Sequence, residues 1–246
     1  MPSILIVIPC FNEELRLDPT QVEALLSDPR LGVVLVDDGS RDGTLALLQR
    51  LAAEHPGLID VVTLPENRGK GEAVRVGLRH ALDRGADVVG YLDADFATPP
   101  AELFRVVDAI FEAPAVVALG SRVRLLGRQI ERSPWRHYLG RVFATLSSLA
   151  LRLDVYDTQC GAKAFSRHPA LLRAVAHPFQ SRWAFDLELI QRLLCDPHDP
   201  LAPSDFVEVP LQKWHDAPGS KLRPSGMTRA LWDLALIARR RARPRG

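Results

Sequence analysis

Apolar runs alternate with helix-like segments along the first half of the chain. Five short runs rich in β-branched residues are predicted to be strands, at residues 4–8, 33–36, 61–64, 88–92 and 115–119. Segments with helical periodicity lie between them, at residues 20–26, 44–54, 72–84 and 101–111. This alternation predicts an α/β fold with βαβ units on a largely parallel, Rossmann-like sheet. Uninterrupted apolar strands indicate that helices flank both faces of the sheet.

The second half of the chain is less regular. Helices are predicted at residues 139–153, 185–194 and 231–241, and a strand at residues 206–211. No composition change marks a domain boundary, so we expect one domain over residues 1–246. Within it we expect a nucleotide-binding half (1–122), an acceptor-facing half (123–222) and a basic amphipathic C-terminal helix and tail (223–246).

Composition is that of an ordinary soluble protein, with 47% hydrophobic and 25% charged residues. The net charge of +1 does not favour nucleic-acid binding. Three cysteines at unrelated spacings argue against a disulfide framework or a zinc site and favour a reducing cytoplasm. We expect no signal peptide, because the N-terminus leads directly into a strand. No apolar stretch approaches 18 residues, so no membrane span is expected.

The fourth predicted strand ends in a pair of acids, Asp93 and Asp95, separated by one alanine. Ligands of α/β proteins bind in the crevice at the carboxyl ends of strands. Mg²⁺ is usually held by one or two carboxylates together with substrate phosphates. The pair therefore suggests metal-assisted chemistry on a phosphorylated substrate. A strand-end turn explains the same residues about equally well, because aspartate is common in turns.

Polar residues also follow the first two predicted strands. Pro9 is expected to stop ladder pairing of the first strand, and Glu13 is either a ligand for a ribose or base or a helix-start acid. Asp37 and Asp38 follow the second strand. One of them is expected to cap the local turn and the other to accept from a nucleobase N–H, with Asp38 our choice for the base.

A glycine-flanked lysine, Lys70, opens the helix that follows the third strand, within Asn67-Arg68-Gly69-Lys70-Gly71. Glycines permit close backbone approach and a helix N-terminus favours anions. The spacing does not match a Walker phosphate loop. A plain glycine-rich helix start is the competing interpretation.

Taken in order, these strand-end motifs resemble the inverting family 2 glycosyltransferases of the glycosyltransferase-A fold. Downstream motifs are similar to the branch that glycosylates dolichyl or polyprenyl phosphate, and closest to its glucosyltransferases. They are Gly120-Ser121-Arg122, Asp157-Thr158-Gln159-Cys160-Gly161-Ala162-Lys163, Arg182-Trp183-Ala184-Phe185-Asp186-Leu187-Glu188, and Trp214 with Gly219-Ser220-Lys221. The resemblance runs from about residue 4 to residue 222.

The resemblance implies a role for each motif residue on the donor side. The nucleoside pocket would be lined by Pro9, Glu13, Asp38 and Lys70, with Asp37 beside them. Asp93 and Asp95 would hold Mg²⁺ or Mn²⁺ against the donor diphosphate, with Asp95 as the more direct ligand. Such a cation neutralises charge that develops on the leaving nucleoside diphosphate.

On the acceptor side the resemblance implies phosphate and substrate contacts. Arg122 and Lys221 are candidates for phosphate groups, and Trp214 and Ser220 for further substrate contacts. Two more residues, Arg132 and Arg136, either meet an acceptor phosphate or belong to a solvated basic loop.

Asp157 and Asp186 are the candidates for a general base, with Glu188 next to Asp186 in the same motif. Family 2 enzymes that act on sugar hydroxyls use a carboxylate in this region. A phosphate acceptor is already anionic near neutral pH and needs little help from a base. The role of Asp186 therefore depends on the acceptor, and a helix-start acid is the structural alternative.

Two segments are candidates for contact with a membrane surface. The helix at residues 141–153 places Val142, Leu146, Leu149 and Leu153 on one face. The helix at 231–241 combines Trp232 with an arginine-rich end, which suits an anionic lipid surface. A core-packed helix with a solvated tail explains the second segment equally well. The expected location is the cytoplasm, with peripheral contact on the cytoplasmic membrane face.

The leading hypothesis is inverting transfer of a hexose, with UDP-glucose as the expected donor, to a polyprenyl phosphate. Within the same class, the acceptor could be a soluble or saccharide hydroxyl, or the donor GDP-mannose. A nucleotidyltransferase also uses a strand-end acid pair with a metal, but it usually has a glycine-rich, arginine-bearing loop where this chain has Pro9 to Glu13. A non-catalytic nucleotide-sugar-binding module is the third alternative.

Overall fold

The computed structural model describes residues 3–131, 134–181 and 184–215. The strands in these ranges are β1 (Ile4–Cys10), β2 (Leu31–Asp37), β3 (Ile59–Thr63), β4 (Val88–Leu92), β5 (Val117–Ser121), β6 (Gln129–Glu131), β7 (Ala162–Ser166), β8 (Phe206–Pro210) and β9 (Lys213–His215). The α-helices are α1 (Pro19–Leu25), α2 (Thr44–Glu54), α3 (Lys70–Asp83), α4 (Pro100–Glu112), α5 (Pro134–Leu151), α6 (Pro169–Ala174) and α7 (Phe185–Leu194).

Seven of these strands form one sheet in the order β3-β2-β1-β4-β7-β5-β8. Strand β7 runs antiparallel to both neighbours, whereas the other paired strands of this sheet are parallel. A separate parallel pair joins β6 to β9. The mostly parallel α/β sheet predicted from the sequence is confirmed. Its topology places the carboxyl ends of β2, β1 and β4 side by side.

Apolar side chains are buried on both faces of the sheet, as the uninterrupted apolar strands predict. One face packs against α3 and α7, with Leu78 and Leu189 fully buried. The other packs against α2 and α4, with Leu48 and Leu103 fully buried. Helices on both faces leave the carboxyl edge of the sheet as the place where strand-end side chains can meet a ligand.

Strand β1 continues through Pro9 to Cys10, so the expectation that Pro9 stops the pairing is wrong. Pro9 lies in register with Val36 of β2. The pairing of β1 with β4 ends at Val7, so at Pro9 the strand has a partner on one side only. A missing N–H is tolerated at such an edge-like position.

Strand β7 and the short helix α6 were not predicted from the sequence. The β7 segment is only five residues long, and its second residue, Lys163, is 0% exposed. A lysine argues against a buried strand unless an opposite charge lies beside it. That charge is Asp186, 23 residues later in the chain and in a different element.

Strands from both predicted halves share the large sheet, because β4 pairs with β7 across it. The helices predicted at 139–153 and 185–194 correspond to α5 and α7, and the strand predicted at 206–211 corresponds to β8. The single-domain organisation stays a prediction.

Candidate active site

The two acids that follow β4 lie in a tight turn at the carboxyl edge of the sheet. The backbone N–H of Phe96 donates to the Asp93 carbonyl at 3.1 Å, and Phe96 itself has a positive φ of 47°. The N–H of Ala97 donates to Asp95 Oδ1 at 3.1 Å. The turn therefore holds both carboxylates at the end of the same strand.

Lys70, the first residue of α3, faces this pair. Its Nζ lies 2.6 Å from Asp93 Oδ1 and 5.8 Å from the centre of the Phe185 ring. Desolvation lowers the pKa of Lys70, but the charges of Asp93, Asp186 and Asp95 outweigh it and leave that pKa raised. Lys70 is therefore a cation within reach of three carboxylates.

The electrostatics of Asp95 fit a cation site. Burial, followed by the negative charge of Asp93, raises the pKa of Asp95 above its ordinary value. The N–H of Ala97 and the charges of Lys70 and Arg16 only partly offset this. A carboxylate whose charge is disfavoured in this way gains from a bound divalent cation, and hard oxygen ligands suit Mg²⁺ or Mn²⁺.

Gly161, in the loop before β7, packs directly against Asp93. The N–H of Asp93 donates to the Gly161 carbonyl at 3.2 Å. A Cβ at residue 161 would lie 2.3 Å from Asp93 Cγ, which is closer than any real contact. Sequence reasoning did not give Gly161 a function. Only the packing of β7 beside β4 reveals that its missing side chain makes room for the carboxylate.

Asp37 and Asp38 both accept hydrogen bonds from loops at the carboxyl edge of the sheet. Asp37 Oδ1 accepts from the N–H of Ser40 at 3.2 Å, which caps the local turn. Asp38 accepts from the backbone N–H groups of Arg68 and Gly69, both at 2.8 Å, and from Asn67 Nδ2 at 3.1 Å. Asp38 thus anchors the loop that leads into α3 and Lys70. Its contact with a nucleobase stays a prediction.

Glu13 is 7% exposed and paired with Arg16, at 2.5 and 2.8 Å. Its backbone N–H donates to Thr44 Oγ1 at 2.8 Å, which ties the loop after β1 to the start of α2. Pro9 is the last residue but one of β1, which lies between β2 and β4, and Glu13 lies in the loop that follows this strand. The nucleoside contacts expected of both residues stay predictions.

Arg122, directly after β5, forms a largely buried ion pair with Asp157. Arg122 Nε and Nη2 donate to the two carboxylate oxygens of Asp157, at 2.6 and 2.9 Å. The guanidinium lies 5.4 Å from the centre of the Trp214 ring. Desolvation lowers the pKa of Arg122, but Asp157 outweighs it and raises that pKa, so the arginine keeps its charge.

Asp186 lies at the start of α7 in a second buried ion pair. Lys163 Nζ lies 2.7 Å from Asp186 Oδ1, and the Tyr91 hydroxyl donates to the same oxygen. Lys163 also donates to the Cys160 carbonyl at 2.5 Å. Burial, then the charge of Asp186 and its hydrogen bond, raise the pKa of Tyr91 well above its ordinary value, so Tyr91 keeps its proton.

The other acid of that motif has a structural explanation. Glu188 accepts from the N–H groups of Gln180 and Ser181, at 2.8 and 3.0 Å, and pairs with Arg192 at 2.7 Å. It thereby holds the loop before α7 against the helix.

Two buried hydroxyls beside the Arg122–Asp157 pair lack a hydrogen-bond partner among the described residues. They are Ser121 Oγ and Thr158 Oγ1, in side chains that are 0% and 1% exposed. Unpaired buried polar groups are uncommon in native folds. Each hydroxyl is adjacent in sequence to a member of the Arg122–Asp157 pair, and burial closes both to solvent.

Several predicted site residues fall outside the described part of the structure. These are Arg132, Ser220 and Lys221, together with the helix predicted at 231–241. Arg136 belongs to α5, but its side chain is also outside that part.

The membrane face predicted on α5 is only partly exposed. Val142 and Leu149 are 60% and 69% exposed, whereas Leu146 packs against the core and Leu153 is 5% exposed. None of the helices in the described ranges is long and apolar enough to cross a bilayer.

Comparison with known proteins agrees with this geometry. The family model Glycosyl transferase family 2 matches residues 5–171. A dolichyl-phosphate beta-glucosyltransferase from Trichomonas vaginalis is 32% identical over 250 residues, covering 94% of this chain and 69% of that protein. A polyprenol monophosphomannose synthase from Mycolicibacterium smegmatis is 30% identical over 233 residues, covering 94% and 85%.

Solved structures show the same fold. Glucosyl-3-phosphoglycerate synthase from Mycobacterium tuberculosis, in complex with Mn²⁺ and UDP-glucose, matches with a TM-score of 0.67 at 21% identity, covering 96% of this chain and 78% of that one. The glycosyltransferase-A fold expected from the sequence is thereby confirmed. The family model and the two relatives together show that this chain belongs to glycosyl transferase family 2 and is a glycosyltransferase.

Proposed function

We propose that this glycosyltransferase moves a hexose from a nucleotide sugar to a polyprenyl phosphate with inversion, and that UDP-glucose is the donor. The names of the relatives support the acceptor class, because they act on dolichyl phosphate or polyprenol phosphate. The observation that most supports the proposal is the difference in solvent exposure among the carboxylates of the site. Asp93 and Asp95 face a lysine that is still partly exposed, whereas Asp157 and Asp186 are buried in ion pairs.

In this proposal Asp93 and Asp95 hold Mg²⁺ or Mn²⁺ at the carboxyl end of β4. When bound, the cation neutralises charge on the departing nucleoside diphosphate. Lys70, held by its place at the start of α3, adds a second positive charge to the same region. Asp38 keeps Lys70 in position by anchoring the loop before it.

The acceptor phosphate needs no base in this scheme. A phosphate oxygen attacks the anomeric carbon from the face opposite the diphosphate, the new C–O bond forms, and the electron pair of the old bond leaves with the diphosphate. A phosphate monoester carries a charge of about −1.5 to −2 near pH 7, so no proton has to be removed. Asp186, held by Lys163 and Tyr91, is poorly placed to take one.

Transfer assays with purified protein test the proposal. UDP-glucose and GDP-mannose, each radiolabelled, are offered with polyprenyl phosphate or with water-soluble hydroxyl acceptors, with Mn²⁺ or with EDTA. We expect label from UDP-glucose in the lipid phase, and only with the metal. Label in water-soluble product alone would overturn the lipid acceptor, and full activity in EDTA would overturn the metal.

The variant Asp186→Asn tests the absence of a base. It keeps the hydrogen-bonding shape, so we expect kcat/KM for polyprenyl phosphate, corrected for folded protein, to stay within about tenfold of the wild type. A loss of about 1000-fold is the size typical of a lost general base and would favour a hydroxyl acceptor instead.

A further inference from the structure

The loop between β5 and β6 carries a pair of leucines that project from the fold. Leu125 is 48% exposed and Leu126 is 105% exposed. Leu126 is more exposed than any other large apolar side chain in the described ranges. We call residues 124–128, from Arg124 to Arg128, the leucine tip.

The leucine tip has a defined turn. The N–H of Arg128 donates to the Leu125 carbonyl at 3.1 Å, and Gly127 has a positive φ of 79°, which glycine adopts without strain. Strand β6 starts at Gln129, directly after the tip, and its pairing with β9 anchors that side of the turn. The turn thus presents the two leucines outward from an anchored base.

Positive charge surrounds the two leucines. Arg124 is exposed and Arg128 is half-buried, and no acidic residue occurs between Val123 and Ile130. Apolar side chains flanked by arginines match the boundary of an anionic bilayer, where the apolar groups enter the acyl region and the arginines meet lipid phosphates. A stable protein interface, by contrast, needs roughly 1,000 Å² of complementary surface, far more than two leucines supply.

The leucine tip lies close to the candidate active site along the chain and in the sheet. It begins two residues after Arg122 at the carboxyl end of β5. Only β7 separates β5 from β4, whose carboxyl end carries Asp93. A membrane that held the tip would therefore lie beside the edge of the sheet where we propose the acceptor phosphate enters.

We propose that the leucine tip docks the enzyme on an anionic lipid bilayer, with Leu125 and Leu126 inserted and Arg124 and Arg128 against lipid phosphates. The role of this docking rests on the proposed function, because a polyprenyl phosphate acceptor resides in a bilayer. Its physical basis, the exposure and charge of the tip, is separate from the reaction.

Vesicle co-sedimentation of the full chain tests the docking. Vesicles of phosphatidylcholine alone are compared with vesicles containing 30% phosphatidylglycerol, a composition chosen for the assay. We expect Leu125→Ser/Leu126→Ser to lower the partition coefficient at least tenfold. We expect Arg124→Gln/Arg128→Gln to abolish the preference for phosphatidylglycerol. Phe111→Ser is the matched control. Phe111 is 57% exposed at the end of α4, just before β5 begins and so near the amino ends of the strands. This variant should leave binding unchanged.

Three outcomes would overturn the docking. The wild type could fail to bind either vesicle, the leucine variant could bind as well as the wild type, or Phe111→Ser could lower binding equally. Gel filtration gives a fourth such outcome. If the wild type is an oligomer and the leucine variant is a monomer, the leucine tip is an interface between copies of this chain.

Activity assays separate this proposal from the proposed function. With a short, water-soluble polyprenyl phosphate and no vesicles, the leucine variant should transfer sugar within twofold of the wild type. With a long-chain polyprenyl phosphate in vesicles its rate should fall in step with its binding. If the wild type binds vesicles through the tip but glycosylates no lipid phosphate, the docking stands and the proposed acceptor is wrong.

Discussion

Two pairs of aspartates at the candidate active site lie in different environments. Asp93 and Asp95 follow β4, and the Asp93 side chain is 31% exposed beside a lysine that is 42% exposed. Asp157 and Asp186 are 7% and 6% exposed, and each is held by a cation at 2.6 or 2.7 Å. Asp93 is also paired, with Lys70 at 2.6 Å, but both of these side chains stay partly open to solvent. An aspartate that is both paired and buried is poorly suited to bind another cation, so the burial of each acid indicates its role better than its position in a motif.

The largest expected effect comes from breaking the buried ion pair of Lys163 and Asp186. Lys163→Met leaves Asp186 buried without its cation, and we expect the free energy of unfolding to fall by about 4 kcal/mol. Urea unfolding measures it. Lys213→Met, at an exposed lysine of β9, is the control and should change stability by less than about 0.5 kcal/mol.

A double variant sharpens this result. Adding Asp186→Leu to Lys163→Met removes the orphaned charge, so we expect it to recover more than half of the lost stability. A single variant as stable as the wild type would show that the pair does not hold the fold.

At the partly exposed pair, removing the charge of Asp95 is expected to lower activity. Asp95→Asn keeps the shape and removes the charge, and we expect kcat/KM to fall at least 100-fold, about 3 kcal/mol of transition-state stabilisation. Because burial raises the pKa of Asp95, the folded protein disfavours its charge, and the variant should be at least as stable as the wild type. Initial rates over a range of Mn²⁺ and thermal unfolding check both points. Asp108→Asn is the control: the Asp108 side chain in α4 is 42% exposed, so the variant should keep the kcat/KM of the wild type.

Gly161→Ala tests the close contact between Gly161 and the Asp93 carboxylate. Its Cβ would displace the Asp93 carboxylate while leaving every charge in place, so we expect the apparent affinity for Mn²⁺ to fall about tenfold, or 1.4 kcal/mol. Metal titration of activity measures it. Gly85→Ala is the control: its φ of +85° strains the backbone in open space, so it should lose stability and keep its affinity for the metal.

The smallest expected effect concerns Asp196, an acid outside both pairs of aspartates compared above. Asp196 pairs with Arg173 at 2.8 Å and accepts from the N–H groups of His198 and Asp199. The hydrogen bonds from Arg173, outweighing burial, lower the pKa of Asp196. A depressed carboxyl pKa stabilises the fold above the ordinary value near 3.9, and that stability is lost as the pH falls through the depressed value.

Because the Arg173 side chain is partly open to solvent, Asp196→Asn should cost about 1 kcal/mol at pH 7, with the deficit shrinking below about pH 4. Urea midpoints from pH 7 to pH 3 measure it. Activity per folded molecule should not change. A deficit that grows in acid would contradict the assignment.

The sequence was most informative where chemistry follows from local position. The acids after β2 and β4 and the lysine at the start of α3 meet because parallel strands share a carboxyl edge, and the order of the motifs was enough to predict this. It was least informative at β7. A five-residue strand with a lysine at its second position lacks a local signal, and the acid that permits the burial of that lysine lies in helix α7.

The sequence by itself determined the alternation of strands and helices, the family, and the polar residues that follow β1, β2 and β4. These depend on hydrophobic periodicity and on short motifs, which are local properties. Only the tertiary structure decided the partners of those residues: Lys163 with Asp186, Arg122 with Asp157, Asp38 with the loop before α3, and Gly161 with Asp93. Such pairs form where distant segments pack together, and an acid's availability to a ligand depends on charges and space that those segments supply.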